Sequence, residues 1–287
     1  MDFAQQLVTG VQIGSVYALV AIGYTMVYGI AKMINFAHGD IIMVGSYVAL
    51  LFFQSSGLPV WGVIAATAAV SAVLGVTIER LAYKPLRGGS RMSALITTIG
   101  VSLMLQNGFL LIFGSSPKPF PNHFTGEGFT LGGVTVSRLT AITLVVTVVL
   151  MVLLTLFVNR TRVGKAMRAV SEDQGAAQLM GINVNRTISM TFAIGSALAA
   201  IAGVLLCSAY PTLTPTTGSM PGIKAFTAAV VSIPCALLGV LLLGIIEIFA
   251  SAYISTQLST AVVFGVLIVV LLVKPAGLLG KTMREKV

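Results

Sequence analysis

The chain has 287 residues, of which 56% are hydrophobic and only 9% charged, with a formal charge of +9 and a mean hydropathy of +1.00. A soluble domain carries about 25% charged residues, so this composition excludes one. The positive balance does not point to nucleic acid, because the basic residues cluster in short stretches between apolar runs.

Those stretches are three: Arg80, Lys84, Arg87 and Arg91; then Arg160, Arg162, Lys165, Arg168 and Arg186; then Lys274, Lys281, Arg284 and Lys286. This is the positive-inside pattern, and it places all three in the cytoplasm. At about 20 residues per crossing, the apolar stretches allow about eight transmembrane helices. The expected fold is all-α and polytopic, one transmembrane domain over residues 1–287 with some helices broken or re-entrant.

The first span covers about residues 5–30. Asp2 precedes it and Lys32 follows, which puts the N-terminus outside. Met1-Asp2-Phe3 lacks the basic start of a cleavable signal peptide. Gly10 and Gly14 form a GxxxG that allows close helix approach. Next comes Ile34-Asn35-Phe36-Ala37-His38-Gly39-Asp40, then apolar residues to Phe53. His and Asp beside an apolar run should face protein or water. Two readings compete for Asn35, His38 and Asp40: they cap and polarise a helix start, or they serve substrate passage and gating. The first is favoured.

A tight outer turn at 54–59 leads to a third span, which ends near Leu81 before the first basic loop. Residues 94–113 return outward. Their Gln106 and Asn107 either bridge helices or line a path. Residues 114–137, rich in Gly, Pro, Ser and Thr, read as an external loop with a small hairpin. His123 and Glu127 in it are two candidate metal ligands without a third, so no metal site is expected. Residues 138–158 span inward again.

Residues 159–187 are the longest stretch that must live in water. Val163, Ala166, Met167 and Val170 fall on one helical face. A second helix is expected over 172–180, about 14 Å long. Ser171 can cap it and Gln174 completes a capping box. Glu172 and Asp173 supply negative charge to its first turn, Ala176, Ala177, Leu179 and Met180 continue it, and Gly181 supplies a left-handed stop. Such a helix can dock into a groove on a partner.

Residues 188–209 go outward, with Gly195, Ala199 and Gly203 as a small-residue ladder. Residues 210–222 form a second external loop. Lys224 opens an apolar segment broken at Ser232-Ile233-Pro234. A break at membrane depth needs protein or a water-lined cavity, and it marks cargo sites in transporters; a kinked helix pair reads equally well. Pro234 is therefore a translocation candidate. Glu247, alone in an apolar run, either pairs with a basic group or lies at a helix end. The last span ends at Val273. A long span followed by an interrupted one in each half hints at an inverted repeat. Cys207 and Cys235 read as small buried hydrophobes.

No catalytic constellation stands out. HExxH, paired CxxC and GxSxG are absent. Gly277 to Thr282 ends like a phosphate loop, but Pro275 occupies the place of its first glycine. With neither a nucleotide site nor a buried relay of ionisable groups, energy for transport is expected from another subunit. Two rival readings remain: an ion-coupled carrier using His38, Asp40 and Glu247, and an intramembrane enzyme using His38 and Asp40.

The chain resembles the permease subunits of bacterial ABC importers for branched-chain amino acids. The residues that carry this are GSVYALVAIGYTMVYGIAKMINFAHGD (14–40), TRVGKAMRAVSEDQGAAQLMGINVNR (161–186), GIKAFTAAV (222–230) and KPAGLLG (274–280). The resemblance implies a multi-pass protein of the inner membrane with its C-terminus in the cytoplasm. It also implies a second related permease, two cytoplasmic ATPase subunits holding ATP and magnesium, and an external substrate-binding protein. No cofactor would sit in this chain. Ser171, Glu172, Asp173, Ala176, Ala177 and Gly181 would lie in the element that meets the ATPase. Urea or short amides are alternative cargo within the class. Two departures stand out. Gly175 replaces the Glu that the wider importer signature has before the paired alanines, and residues 229–240 are about four residues short of the family pattern.

Overall fold

The protein is described here by a computed structural model, which covers residues 3–87, 89–121, 123–124, 128–131, 134–231 and 236–273. The helices are α1 (Phe3–Ala31), α2 (His38–Ser55), α3 (Val60–Ile78), α4 (Arg91–Phe113), α5 (Arg138–Arg160), α6 (Arg162–Glu172), α7 (Gln174–Leu179), α8 (Val184–Ala209), α9 (Ser219–Val231), α10 (Ala236–Tyr253) and α11 (Ser259–Val273). A π-turn (Glu79–Tyr83) and a 3-10 turn (Lys84–Leu86) continue α3 into the first basic loop.

The all-α, polytopic expectation holds. Five apolar helical stretches among the described residues are long enough to cross a bilayer: 3–31, 60–86, 92–113, 138–160 and 184–209. Within α10 and α11, the apolar helical stretches 239–253 and 259–270 are shorter over the described residues.

Two helices form the centre. In α1 and α8, 72% of the apolar window is buried, against 11% in α4 and α5. Small residues explain how the centre closes. A Cβ on Gly14 would fall 2.8 Å from the Leu241 carbonyl oxygen, and one on Gly10 2.8 Å from Ile245 Cα, so α10 lies against the GxxxG face of α1. The contacts run antiparallel, with 10 opposite 245 and 14 opposite 241. In α8, Gly195 meets Gly23 of α1 and Gly203 meets Ile42 of α2. Without a hydrophobic drive between helices in lipid, such close backbone packing is what holds them together. Cys207 is buried and unbridged in this centre; Cys235 lies outside the described residues.

The two loops expected outside meet each other. β1 (Lys118–Pro119) pairs antiparallel with β4 (Thr212–Leu213), and Phe120 N donates to Pro211 O at 3.2 Å. The expected hairpin is there, as β2 (Phe129–Leu131) paired with β3 (Val134–Val136). Gln5 of α1 ties itself to it, exchanging both bonds with the Thr135 backbone at 3.0 and 3.1 Å. His123 packs its ring on Phe53 at 4.4 Å, and no group of three metal-ligating residues occurs among the described residues. Glu127 lies outside them.

Candidate functional site: a buried polar junction and a wet helix pair

The first polar feature lies where α2 begins. Residues 32–37 leave α1 and fold back, so that α2 starts beside the middle of α1 rather than at its end. Asn35 does not cap α2. The N-cap is Ala37, which makes no side-chain cap bond. Asn35 acts through tertiary contacts instead: its N–H donates to Tyr24 Oη at 3.0 Å, and Tyr83 Oη donates to its Oδ1 at 2.7 Å. His38 fills the notch left by Gly23 and Gly195 and meets the Tyr24 ring edge-on at 5.3 Å. It is 1% exposed, as is Asp40.

Asp40 lies in the first turn of α2, where the helix dipole favours a carboxylate. Its Oδ1 accepts from Gln106 Nε2 at 2.8 Å. The same Nε2 lies 3.2 Å from Ser219 Oγ at the start of α9 and 3.3 Å from Ser102 Oγ. Gln106 thus joins α4, α2 and α9 at one point. Glycines make room for the junction: a Cβ on Gly39 would fall 2.7 Å from the Gly218 carbonyl oxygen. Asn107 is not part of it. It faces outward, and its Nδ2 donates to Leu103 O of its own helix at 2.8 Å.

Two ion pairs brace the same bundle. Glu247 accepts from Lys224 Nζ at 2.7 Å and from Tyr17 Oη at 3.3 Å, joining α10 to α9 and α1. Sequence signal for this pair exists: Lys224 and Glu247 are the sole cation and sole carboxylate between residues 187 and 273. The second pair was not anticipated. Glu79, fully buried in the π-turn, pairs with Arg87. Its Oε2 accepts from Ser189 Oγ at 2.5 Å, and Arg87 reaches Asn185 Oδ1 at 2.5 Å. A carboxylate closing the apolar run VTIE was the available clue, since such a group needs a partner. Its location on a π-turn, a feature often found at functional sites, was not visible in the sequence.

The wet segment is the second feature. In α6, Met167 and Val170 are buried, Val163 and Ala166 half-buried, and Lys165 and Arg168 exposed, as the periodicity requires. Its N-cap is Thr161, which accepts from Gly164 N at 3.0 Å. The expected capping box is overturned. Ser171 belongs to the last turn of α6 and donates to Arg168 O at 2.7 Å. Glu172 ends α6. Asp173 is the cap of α7: its Oδ1 accepts from Gly175 N at 2.7 Å and Ala176 N at 3.0 Å. A carboxylate outcompetes a hydroxyl here because it accepts two amides at once and meets the helix dipole. Gln174 instead reaches back to α1, donating to Ile30 O at 3.3 Å.

α7 therefore has six residues and is about 9 Å long. Gly181 adopts φ +81°, and Ile182 N bonds Ala177 O at 3.0 Å, which closes a Schellman stop. Ala177 is buried against the bundle, while Ala176 faces out. Beside it Leu179 and Met180 are 90% and 82% exposed. The sequence places both in the expected helix without showing that they stand bare. Pro234, the remaining translocation candidate, lies outside the described residues.

A bundle of long apolar helices with one self-capped helix pair beside it fits an all-α polytopic membrane protein. The family described as branched-chain amino acid transport system / permease component matches residues 6–272, and the chain belongs to it. It is 47% identical to the high-affinity branched-chain amino acid transport system permease protein BraD of Pseudomonas aeruginosa, covering 99% of this chain and 98% of that protein. The LivH protein of the same description from Escherichia coli K12 is 45% identical with the same coverage. A probable LivH of Methanocaldococcus jannaschii is 31% identical over 91% of this chain and 88% of its own. Both bacterial alignments run over 302 positions, more than the 287 residues present here, so those relatives carry residues that this chain lacks. Among solved structures, PsaBC from Streptococcus pneumoniae in complex with Fab aligns over 93% of this chain and 89% of that chain at 15% identity, with a TM-score of 0.49; it is too distant to bear on the argument.

Proposed function

We propose that the chain is the membrane-spanning subunit of an ABC importer that brings branched-chain amino acids into the cytoplasm. Separate ATPase subunits supply the energy, a second permease completes the membrane part, and an external binding protein delivers cargo. α6 and α7 lie in the cytoplasm with the C-terminus, and the N-terminus lies outside. The observation that carries this reading is α7 itself. A short helix, capped by its own Asp173 and stopped by Gly181, presents bare Leu179 and Met180 between two spans. Two large apolar side chains in water favour a partner, at about 1.5–3 kcal/mol for each side chain fully covered.

The mechanism follows from what α7 touches. Ala177 packs into the bundle and Gln174 holds the end of α1. A push on α7 therefore reaches α1, which is central, and α8, which follows α7 in the chain. Movement of α1 and α8 against α9 and α10 would open a path lined by small residues and backbone. A zwitterion needs little more than such dipoles. The ion pair of Lys224 and Glu247 and the junction of Asp40, Gln106 and Ser219 hold the short helix α9 to its neighbours while this happens.

Disulfide trapping tests the reading. Leu179→Cys should cross-link to a co-expressed ATPase in the assembled complex, and Leu153→Cys, midway along lipid-exposed α5, should not. A complex that imports leucine with ATP yet never cross-links at 179 would refute the docking role.

A further inference from the structure

A cavity of about 670 Å³ opens beside the wet helix pair. Its walls come from the end of α1 and the turn after it, from Leu86, Arg87, Gly89, Ser90, Ala94 and Leu95, from Gln174 of α7 and from Ile188 of α8. The lining combines aliphatic side chains, Leu86, Leu95 and Ile188 among them, with two cations, Lys32 and Arg87, and no carboxylate lines it among the described residues. Arg87 is shared with Glu79 and Asn185, so Lys32 is the cation with no ion pair among the described residues. Lys32 is also the one non-glycine residue with a positive φ, +55°, among those described. Such strain costs about 1–3 kcal/mol and collects at ligand clamps and switches. Gln174 spends its Nε2 on Ile30 O, which leaves its Oε1 as an acceptor.

We propose that this cavity is a binding site for a small zwitterionic amino acid with an aliphatic side chain, and that its occupancy restrains α7. Lys32 takes the carboxylate, Gln174 Oε1 and the Tyr28 hydroxyl face the ammonium, and the aliphatic lining takes the side chain. This rests on the importer reading given above, because it makes the ligand the delivered cargo and the cavity cytoplasmic. The site is then an exit-side brake. Gln174 both lines the cavity and ties α7 to α1, so a ligand there favours the arrangement in which that tie is made. A ligand that prefers one state shifts the equilibrium toward it. Accumulated cargo therefore slows further import.

The experiment uses the complete importer in proteoliposomes, with and without leucine sealed on the ATPase side. Internal leucine should slow ATP-driven uptake about fivefold or more, the usual range of coupling between sites. Lys32→Asn removes the charge and keeps a residue that tolerates positive φ, and Ala94→Trp fills the cavity. Both should take up leucine normally into empty vesicles and escape the inhibition. In parallel, labelled leucine is titrated into the permease–ATPase complex without the binding protein. Saturable binding is expected, weakened about tenfold or more by Lys32→Asn, the worth of one charge-assisted hydrogen bond. Absent binding, equal binding in both variants, or binding seen only after anionic lipid is removed would overturn the proposal, the last by making the cavity a headgroup site. Absence of ATP-driven uptake into empty vesicles would fail the transport reading and leave the site to be decided by the titration alone.

Discussion

Two polar regions of this chain obey opposite rules. The wet pair α6–α7 satisfies itself locally: Thr161 and Asp173 cap their own helices, and Gly181 stops the second. The junction at the start of α2 has no local cap. Asn35, Asp40 and Glu79 take their partners from Tyr24, Tyr83, Gln106, Ser189 and Arg87, some of them far away in sequence, while Asn35 Nδ2 and Asp40 Oδ2 have no protein partner among the described residues. Water supplies missing partners outside the bundle, so a local cap suffices. Inside it an unpaired charge is costly, so the buried carboxylates draw partners from other elements.

The largest effect should come from breaking that second arrangement. Arg87→Ala leaves buried Glu79 without its charge partner and should destabilise the fold by roughly 3–5 kcal/mol. Thermal unfolding in detergent measures this, and Arg87→Ala with Glu79→Gln should recover much of the loss. An unchanged single variant would mean that the pair is incidental. Lys224→Met should act in the same direction but less, since Glu247 keeps Tyr17 and is partly exposed; the reading is a lower unfolding temperature, restored by adding Glu247→Leu.

Gly39→Ala probes the junction by shape alone. Its Cβ would meet the Gly218 carbonyl, so α9 must shift, at about 1–3 kcal/mol. Transport should fall more than stability does, which uptake and unfolding measured on one preparation will separate. The wet region should give the smallest effects. Asp173→Ala should cost about 1 kcal/mol of α7 stability, read as faster amide exchange at Gly175 and Ala176. Ser171→Ala should change that exchange hardly at all. If Ser171→Ala proved the more damaging of the two, the capping assignment would be wrong.

How much was legible follows the same division. The spans at 3–31, 138–160 and 184–209 were readable because lipid demands long apolar runs. The small-residue ladders announced close packing, though not that α10 lies on the first and α1 and α2 on the second. In the wet segment the helix stop at Gly181 was readable. The cap was misplaced by two residues, because Ser171 and Asp173 both suit the role and only geometry chooses between them. Leu179 and Met180 were readable as helix residues but not as an exposed pair, since a short helix gives too few turns to show which apolar residues its neighbours leave bare.

By itself the sequence determined that this is a membrane protein, where its main spans run and which stretch stands in water. Those properties depend on each segment's own exchange between water and lipid. Tertiary structure alone decided that Gln106 joins Asp40 to Ser219, that Glu79 meets Arg87 across a π-turn, and that Lys224 of α9 is held by Glu247 of α10. Such partners are chosen by which helices approach closely enough to exclude everything else, and that is a property of the packed bundle rather than of any one segment.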